Sequence, residues 1–161
     1  MAAIMTGLVW LEQSGVAAAM TAWPALYIVV SAAHILSIGL IIGAILPLDL
    51  RLLGFFRQAP LAAIAPLLSR TATAGVACAL VTGVLLFTVR AREYAANPAF
   101  LIKLGLVAFA ILNAVMLHRG LAWKEALARD GHPALSVRIA AMLSLVLWPG
   151  AVLAGRWIGF L

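Results

Sequence analysis

A histidine in the middle of an apolar run is the first residue in this chain whose type and place could do chemistry. His34 sits within ALYIVVSAAHILSIGLIIGAIL, and an ionisable side chain inside a membrane-length run marks by default a ligand, a relay or a binding site. Tyr27, Ser31, His34 and Ser37 follow one another at spacings of four, three and three, so they share one helical face, and a polar stripe of that kind faces a bundle interior. A plainer role is also open to His34: a hydrogen bond to a neighbouring helix, worth on average about 0.6 kcal/mol.

Thr71, Gly75, Cys78 and Thr82 form a second one-faced set. Threonines in spans often bond their own backbone, so this set has a structural reading, although Thr82 should lie at the depth of His34. The third group is Lys103, Asn113 and His118. Counted from the same membrane face, His34 lies roughly 14 Å deep and His118 roughly 27 Å, at 1.5 Å per residue. Two axial ligands of one iron need nearly the same depth, so a bis-histidine haem is not expected; haem b held by His34, alone or with a methionine, remains an alternative. Lys103 lies about one turn inside the boundary, where a lysine snorkels to water. Turned inward, it would instead make an anion or proton site. His34 with Met142 or Cys78 would make a soft-ligand site suited to Cu(I). No nucleophile triad, P-loop or zinc-ligand pair is present, and none of His34, His118 and His132 has a histidine partner at i+3 or i+4, so soluble-enzyme chemistry is not expected.

These residues need helices that cross a membrane to position them. The chain has 161 residues, 66% hydrophobic and 10% charged, against roughly 25% charged in an ordinary soluble domain. A span takes roughly 20 apolar residues, so four spans nearly exhaust a single domain over residues 1–161. They are expected at about 25–46, 71–89, 99–117 and 139–155. An amphipathic helix at about 6–20, carrying Glu12 and Gln13, should lie in the membrane interface; it lacks the basic opening of a secretory signal. Pro47, Asp49 and Arg51 are expected to mark the exit of the first span. Arg57, Pro60 and Pro66 should break residues 51–70 into a surface turn and a short helix. Asn97-Pro98 signals a helix start, and Asp130-Gly131 a turn. Pro149 predicts a kink in the fourth span. Gly39 and Gly43 make a small-xxx-small packing pair. A faint alignment of Arg70, Gly83 and Arg90 with Arg138, Gly150 and Arg156 hints at duplication.

The net charge of +6 does not form an aromatic-laced basic face, so no nucleic-acid partner is expected. Arg51, Arg57, Arg70, Arg119, Lys124, Arg129 and Arg138, seven of the eleven basic residues, fall in the first and third connections. The positive-inside rule then places both termini away from the cytoplasm. Asp49, Arg51, Arg70, His118 and Arg119 should meet as an interfacial salt-bridge cluster. Cys78 is the lone cysteine and excludes an intramolecular disulfide.

The segments SAAHILSIGLIIGAILPLDLRLLG, NPAFLIKLGLVAFAILNAVMLHR and LSLVLWPGAVLAGRWIGF resemble the membrane domain of the copper resistance D (CopD-like) proteins and related small bacterial inner-membrane proteins. The likeness covers most of residues 25–158. It implies copper handling at the inner membrane, with His34, Lys103 and Asn113 at positions matching the family pattern. Four spans are fewer than the full transporter-like members have, which puts independent transport in doubt and implies a homo-oligomer or a periplasmic or membrane partner. Three functions therefore stand: copper handling around His34, a b-type haem electron-transfer subunit, and a structural subunit of a larger membrane complex.

Overall fold

The structure, a computed structural model, describes residues 2–129 and 133–160. The expected turn at Asp130-Gly131 and His132 fall outside the described residues. Eight helices follow in order: α1 (Ala2–Glu12), α2 (Gly15–Ala22), α3 (Pro24–Leu53), α4 (Leu61–Val89), α5 (Ala91–Ala96), α6 (Pro98–Arg119), α7 (Leu121–Arg129) and α8 (Leu135–Trp157). A single 3₁₀ turn, Ile158–Phe160, completes the described chain. α3, α4, α6 and α8 are each long and apolar enough to cross a membrane. The protein is an all-α membrane protein built on four spanning helices.

The first two spans are longer than expected. Pro47 does not end α3, and Asp49 and Arg51 lie inside the helix rather than beyond it. α3 closes instead at Gly54, whose φ of 103° is the left-handed conformation that glycine tolerates best, with Phe55 N–H donating to the Leu50 carbonyl over 3.0 Å. Likewise α4 runs straight through Pro66 from Leu61, so no separate surface helix exists and the connection shrinks to residues 54–60. A proline removes one helical N–H, and tertiary neighbours in a packed membrane bundle offset that loss. Asn97 behaves as its sequence predicts: its side chain accepts from the N–H groups of Ala99 and Phe100, over 2.9 and 3.3 Å, and starts α6.

The expected interfacial helix at 6–20 is two helices, divided where Ser14 caps α2 by accepting from Ala17 N–H. Glu12 at the end of α1 is tied to α5: it accepts from Arg92 backbone N–H over 2.9 Å and from Arg92 Nε over 2.6 Å. Those bonds, the backbone one foremost, hold the Glu12 carboxyl below the usual carboxylate range. A lowered folded-state pKa means that the contact is intact above the ordinary carboxylate pKa and is lost as pH falls through the lowered value. Hydrogen exchange should therefore show α1 loosening selectively on acidification. Glu12→Gln should show that loosening at neutral pH, and equal protection in both proteins at neutral pH would refute the tie.

The spans are ordered in space α4–α3–α8–α6. α3 packs on α4 and α8, and α6 packs on α8. No Cα of α4 comes within 8 Å of a Cα of α6 among the described residues, so these two helices stand apart and meet only through side chains. The α3/α4 crossing is close because of Gly75, where a Cβ would fall 2.9 Å from Ile41 Cγ1 and 3.1 Å from the Ser37 carbonyl oxygen. The expected packing pair, Gly39 and Gly43, has open space where a Cβ would go. Both helix faces at this level are apolar, so the sequence pattern did not distinguish the side that meets α4 from the side that meets lipid.

Candidate functional site

The gap between α4 and α6 is a cleft of about 590 Å³ floored by α3 and α8, and His34 and Lys103 both line it. That volume lies within the roughly 300–1,000 Å³ range of ligand and cofactor pockets. At the end nearest the chain termini, Phe87 of α4, Tyr94 of α5 and Phe100 of α6 stack across the gap. Their ring centroids are 5.4 Å apart for Phe87–Phe100 and 5.5 Å for Tyr94–Phe100. At the α7 end, Ser69 of α4 and His118 of α6 join through a 3.1 Å hydrogen bond. Between these two closures the cleft faces outward between exposed Leu80 and Val84 on one rim and exposed Leu104 on the other.

His34 is held from behind. The Thr82 hydroxyl has one proton, which it donates to the Cys78 carbonyl over 2.7 Å, so its oxygen accepts from His34 Nδ1–H over 2.9 Å. The ring also has a backbone hydrogen bond with Ala79; with Nδ1–H assigned as the donor to Thr82, Nε2 is the nitrogen that carries the lone pair. Gly83 makes room for the ring: a Cβ there would lie 3.3 Å from His34 Cε1. Ordering of the imidazole through its other nitrogen is the arrangement that histidine ligands of metals share.

The cleft is basic. Lys103 turns inward rather than snorkelling, with its Cδ, Cε and Nζ 3.3–3.5 Å from where a Gly155 Cβ would stand. Arg156 lines the same cleft, its guanidinium carbon 5.1 Å from the centroid of the Phe160 ring. No aspartate or glutamate is among the lining residues, and Trp148, Val107 and Ile41 supply an apolar inner wall. Tyr94 at the closed end is kept protonated, since burial raises its phenol above the ordinary value. Arg156 and Tyr94 are the site residues that the sequence pattern missed. Only the alignment of Arg156 with Arg90 hinted at the former, and Arg90 itself pairs with exposed Glu93 outside the cleft.

The remaining candidates are dispersed. Cys78 and Met142 are exposed and neither lines the cleft, so the expected set of His34, Met142 and Cys78 is not brought together there. Met142 is thirteen residues from Gly155, roughly 20 Å along α8, far from the level at which Gly155 meets Lys103. The polar stripe also divides: Ser37 is buried and donates to its own Ala33 carbonyl over 2.7 Å, Ser31 is half-buried, and Tyr27 is exposed. Asn113 clips two spans together, donating to the Ala140 carbonyl of α8 over 2.9 Å. His118 has both nitrogens engaged, with Nδ1–H donating to the Ala114 carbonyl over 2.7 Å and Nε2 accepting from Ser69. Its ring lies 4.6 Å from Trp123. His34 and His118 thus serve opposite ends of the bundle, as depth counting predicts.

The expected salt-bridge cluster does not form around Asp49. That side chain is 4% exposed, is hydrogen-bonded by Ser144 of α8, and has no partner for Oδ2 among the described residues. Buried Arg51 instead donates to the Ala59 carbonyl over 2.8 Å, holding the short α3–α4 connection.

A family model described as "Family of unknown function (DUF6644)" matches residues 7–161. Neither a curated protein nor a solved structure matches the chain.

Proposed function

We propose that this chain, which belongs to the DUF6644 family of unknown function, is a b-type haem-binding subunit of the bacterial inner membrane in which His34 would hold the iron. The observation that carries the proposal is a histidine held by Thr82 through Nδ1, in a large apolar cleft whose charged lining residues, among the described ones, are Lys103 and Arg156. A haem needs an imidazole for its iron, apolar walls for its ring and cations for its propionates. Bound there, haem would supply a one-electron couple. Thr82 orients the imidazole, Lys103 and Arg156 would neutralise the carboxylates, and the apolar walls would limit water.

The copper handling implied by the CopD-like resemblance needs further soft donors beside His34, and no cysteine, methionine or second histidine lines the cleft. The positive-inside rule favours the His34 end on the side away from the cytoplasm, since the connections at the α7 end hold most of the arginines.

The test is a titration of the purified protein with ferric haem, read by the Soret band. A single saturable site is expected, and a protein that stays colourless with ample haem would overturn the proposal. Lys103→Ala and Arg156→Ala should each weaken binding about tenfold or more, because a hydrogen bond to a charged group contributes roughly 1.5–3 kcal/mol. Haem dimethyl ester, which lacks the carboxylates, should bind wild type and the double variant alike.

A further inference from the structure

We propose that the cleft is loaded sideways from the bilayer, through the gap between α4 and α6, and that its ligand is an amphiphile dissolved in lipid rather than in water. The inference deepens the haem proposal and rests on the cleft being a ligand site, but not on the ligand being haem.

Three observations converge. First, α4 and α6 have no close backbone contact, and along the middle of the gap the cleft is flanked by the exposed side chains of Leu80, Val84 and Leu104. Second, side chains bridge α4 and α6 towards both ends of the gap: Phe87, Tyr94 and Phe100 stack together at one, and Ser69 and His118 share a hydrogen bond beyond the other. Third, the rims are apolar and exposed at Leu80, Val84 and Leu104, whereas half-buried Lys103 lines the cleft and Arg156 lines it from an exposed position near the chain termini. An anion dissolved in lipid would slide its apolar body between the rims and bring its head to Lys103 and Arg156. A half-buried cation beside an apolar window selects for a ligand that carries its own hydrocarbon solvent with it.

The test compares two tryptophans of nearly equal burial, Trp148 at 5% exposure and Trp123 at 6%. Trp148 lines the cleft, whereas Trp123 sits in the core at the α7 end. Single-tryptophan versions of the whole chain, with the other four replaced by Phe, are reconstituted in phosphatidylcholine brominated along the acyl chains. Bromine quenches only on close approach, so Trp148 fluorescence should fall by half or more while Trp123 retains most of its own. Repeating the measurement with bromine near the headgroup controls for depth. Leu104→Phe together with Val84→Phe should protect Trp148, and Leu153→Phe, exposed on α8 and outside the cleft, should leave its quenching unchanged.

Trp148 quenched no more than Trp123 by either lipid would overturn sideways loading, as would equal quenching of Trp148 with and without the rim variants. Because this readout needs no haem, a colourless protein with strongly quenched Trp148 would sink the haem assignment alone. A haem-binding protein with unquenched Trp148 would sink the route alone.

Discussion

His34→Gly is expected to lose haem affinity by at least about 100-fold and to regain much of it when free imidazole is supplied. The substitution removes the ring and leaves a space beside Gly83, where a Cβ would already meet the imidazole at 3.3 Å. Free imidazole can occupy that space, donate to Thr82 and offer its other nitrogen to the iron. A histidine that served only to hold α3 against α4 would respond differently: its loss would change stability by roughly the 0.6 kcal/mol of an interhelical hydrogen bond, and imidazole would restore no Soret band. Thr82→Val supplies a graded companion. It removes the acceptor behind Nδ1, and loss of such a partner typically costs 10–100-fold in affinity, with the ligand itself still present. Equal haem binding by wild type, His34→Gly and Thr82→Val would refute the assignment of the site.

The second large effect is expected at Gly75. Gly75→Val should destabilise the protein by about 1–3 kcal/mol or more, because the new Cβ would meet Ile41 Cγ1 at 2.9 Å and two backbone atoms of α3, the Ser37 oxygen and the Ile41 nitrogen, at 3.1 and 3.2 Å. A side chain can rotate away from a clash, whereas the backbone of a packed helix must move as a whole. Separating α3 from α4 would also break the His34–Thr82 bond, so ligand affinity should fall together with the thermal midpoint. Gly39→Ala and Gly43→Ala are the controls. Both have open space, and removing a helix-interior glycine favours the helix by roughly 0.5–1 kcal/mol. A Gly75 variant as stable as these two would show that the crossing is looser than its geometry.

Length and apolarity made the four spans legible, since no other arrangement hides such runs from water. Depth was legible too, because a helix rises evenly: counting residues placed Thr82 beside His34 and kept His118 away from it. Direction around the helix axis was not. In a soluble protein polar residues mark the outer face, but here α3 and α4 meet lipid with the same residue types that they bury. Cys78 could therefore be expected inward and lie outward, and Gly39 and Gly43 could take the place that Gly75 occupies. Pro47 and Pro66 misled for a related reason. Each reads as a helix end, yet in a membrane the alternative to continuing the helix is unpaired backbone in hydrocarbon, so the helix continues. Lys103 shows the same limit: one turn from the boundary, it can reach water or the cleft, and only the close approach to Gly155 decides between them.

The order of the helices in space sets an order for assembly in time. α3 and α4 are made consecutively and pack on each other, so they can pair as soon as α4 enters the bilayer. α6 has no close backbone contact with either; it meets α4 through the side-chain pairs Phe87–Phe100 and Ser69–His118, and packs its backbone on α8, which is synthesised after it. Until α8 arrives, α6 is held to the others by those pairs and by short connections, and Asp49 on α3 lacks the Ser144 hydroxyl that α8 brings. α8 is thus the keystone of biogenesis, and its insertion completes the floor of the cleft.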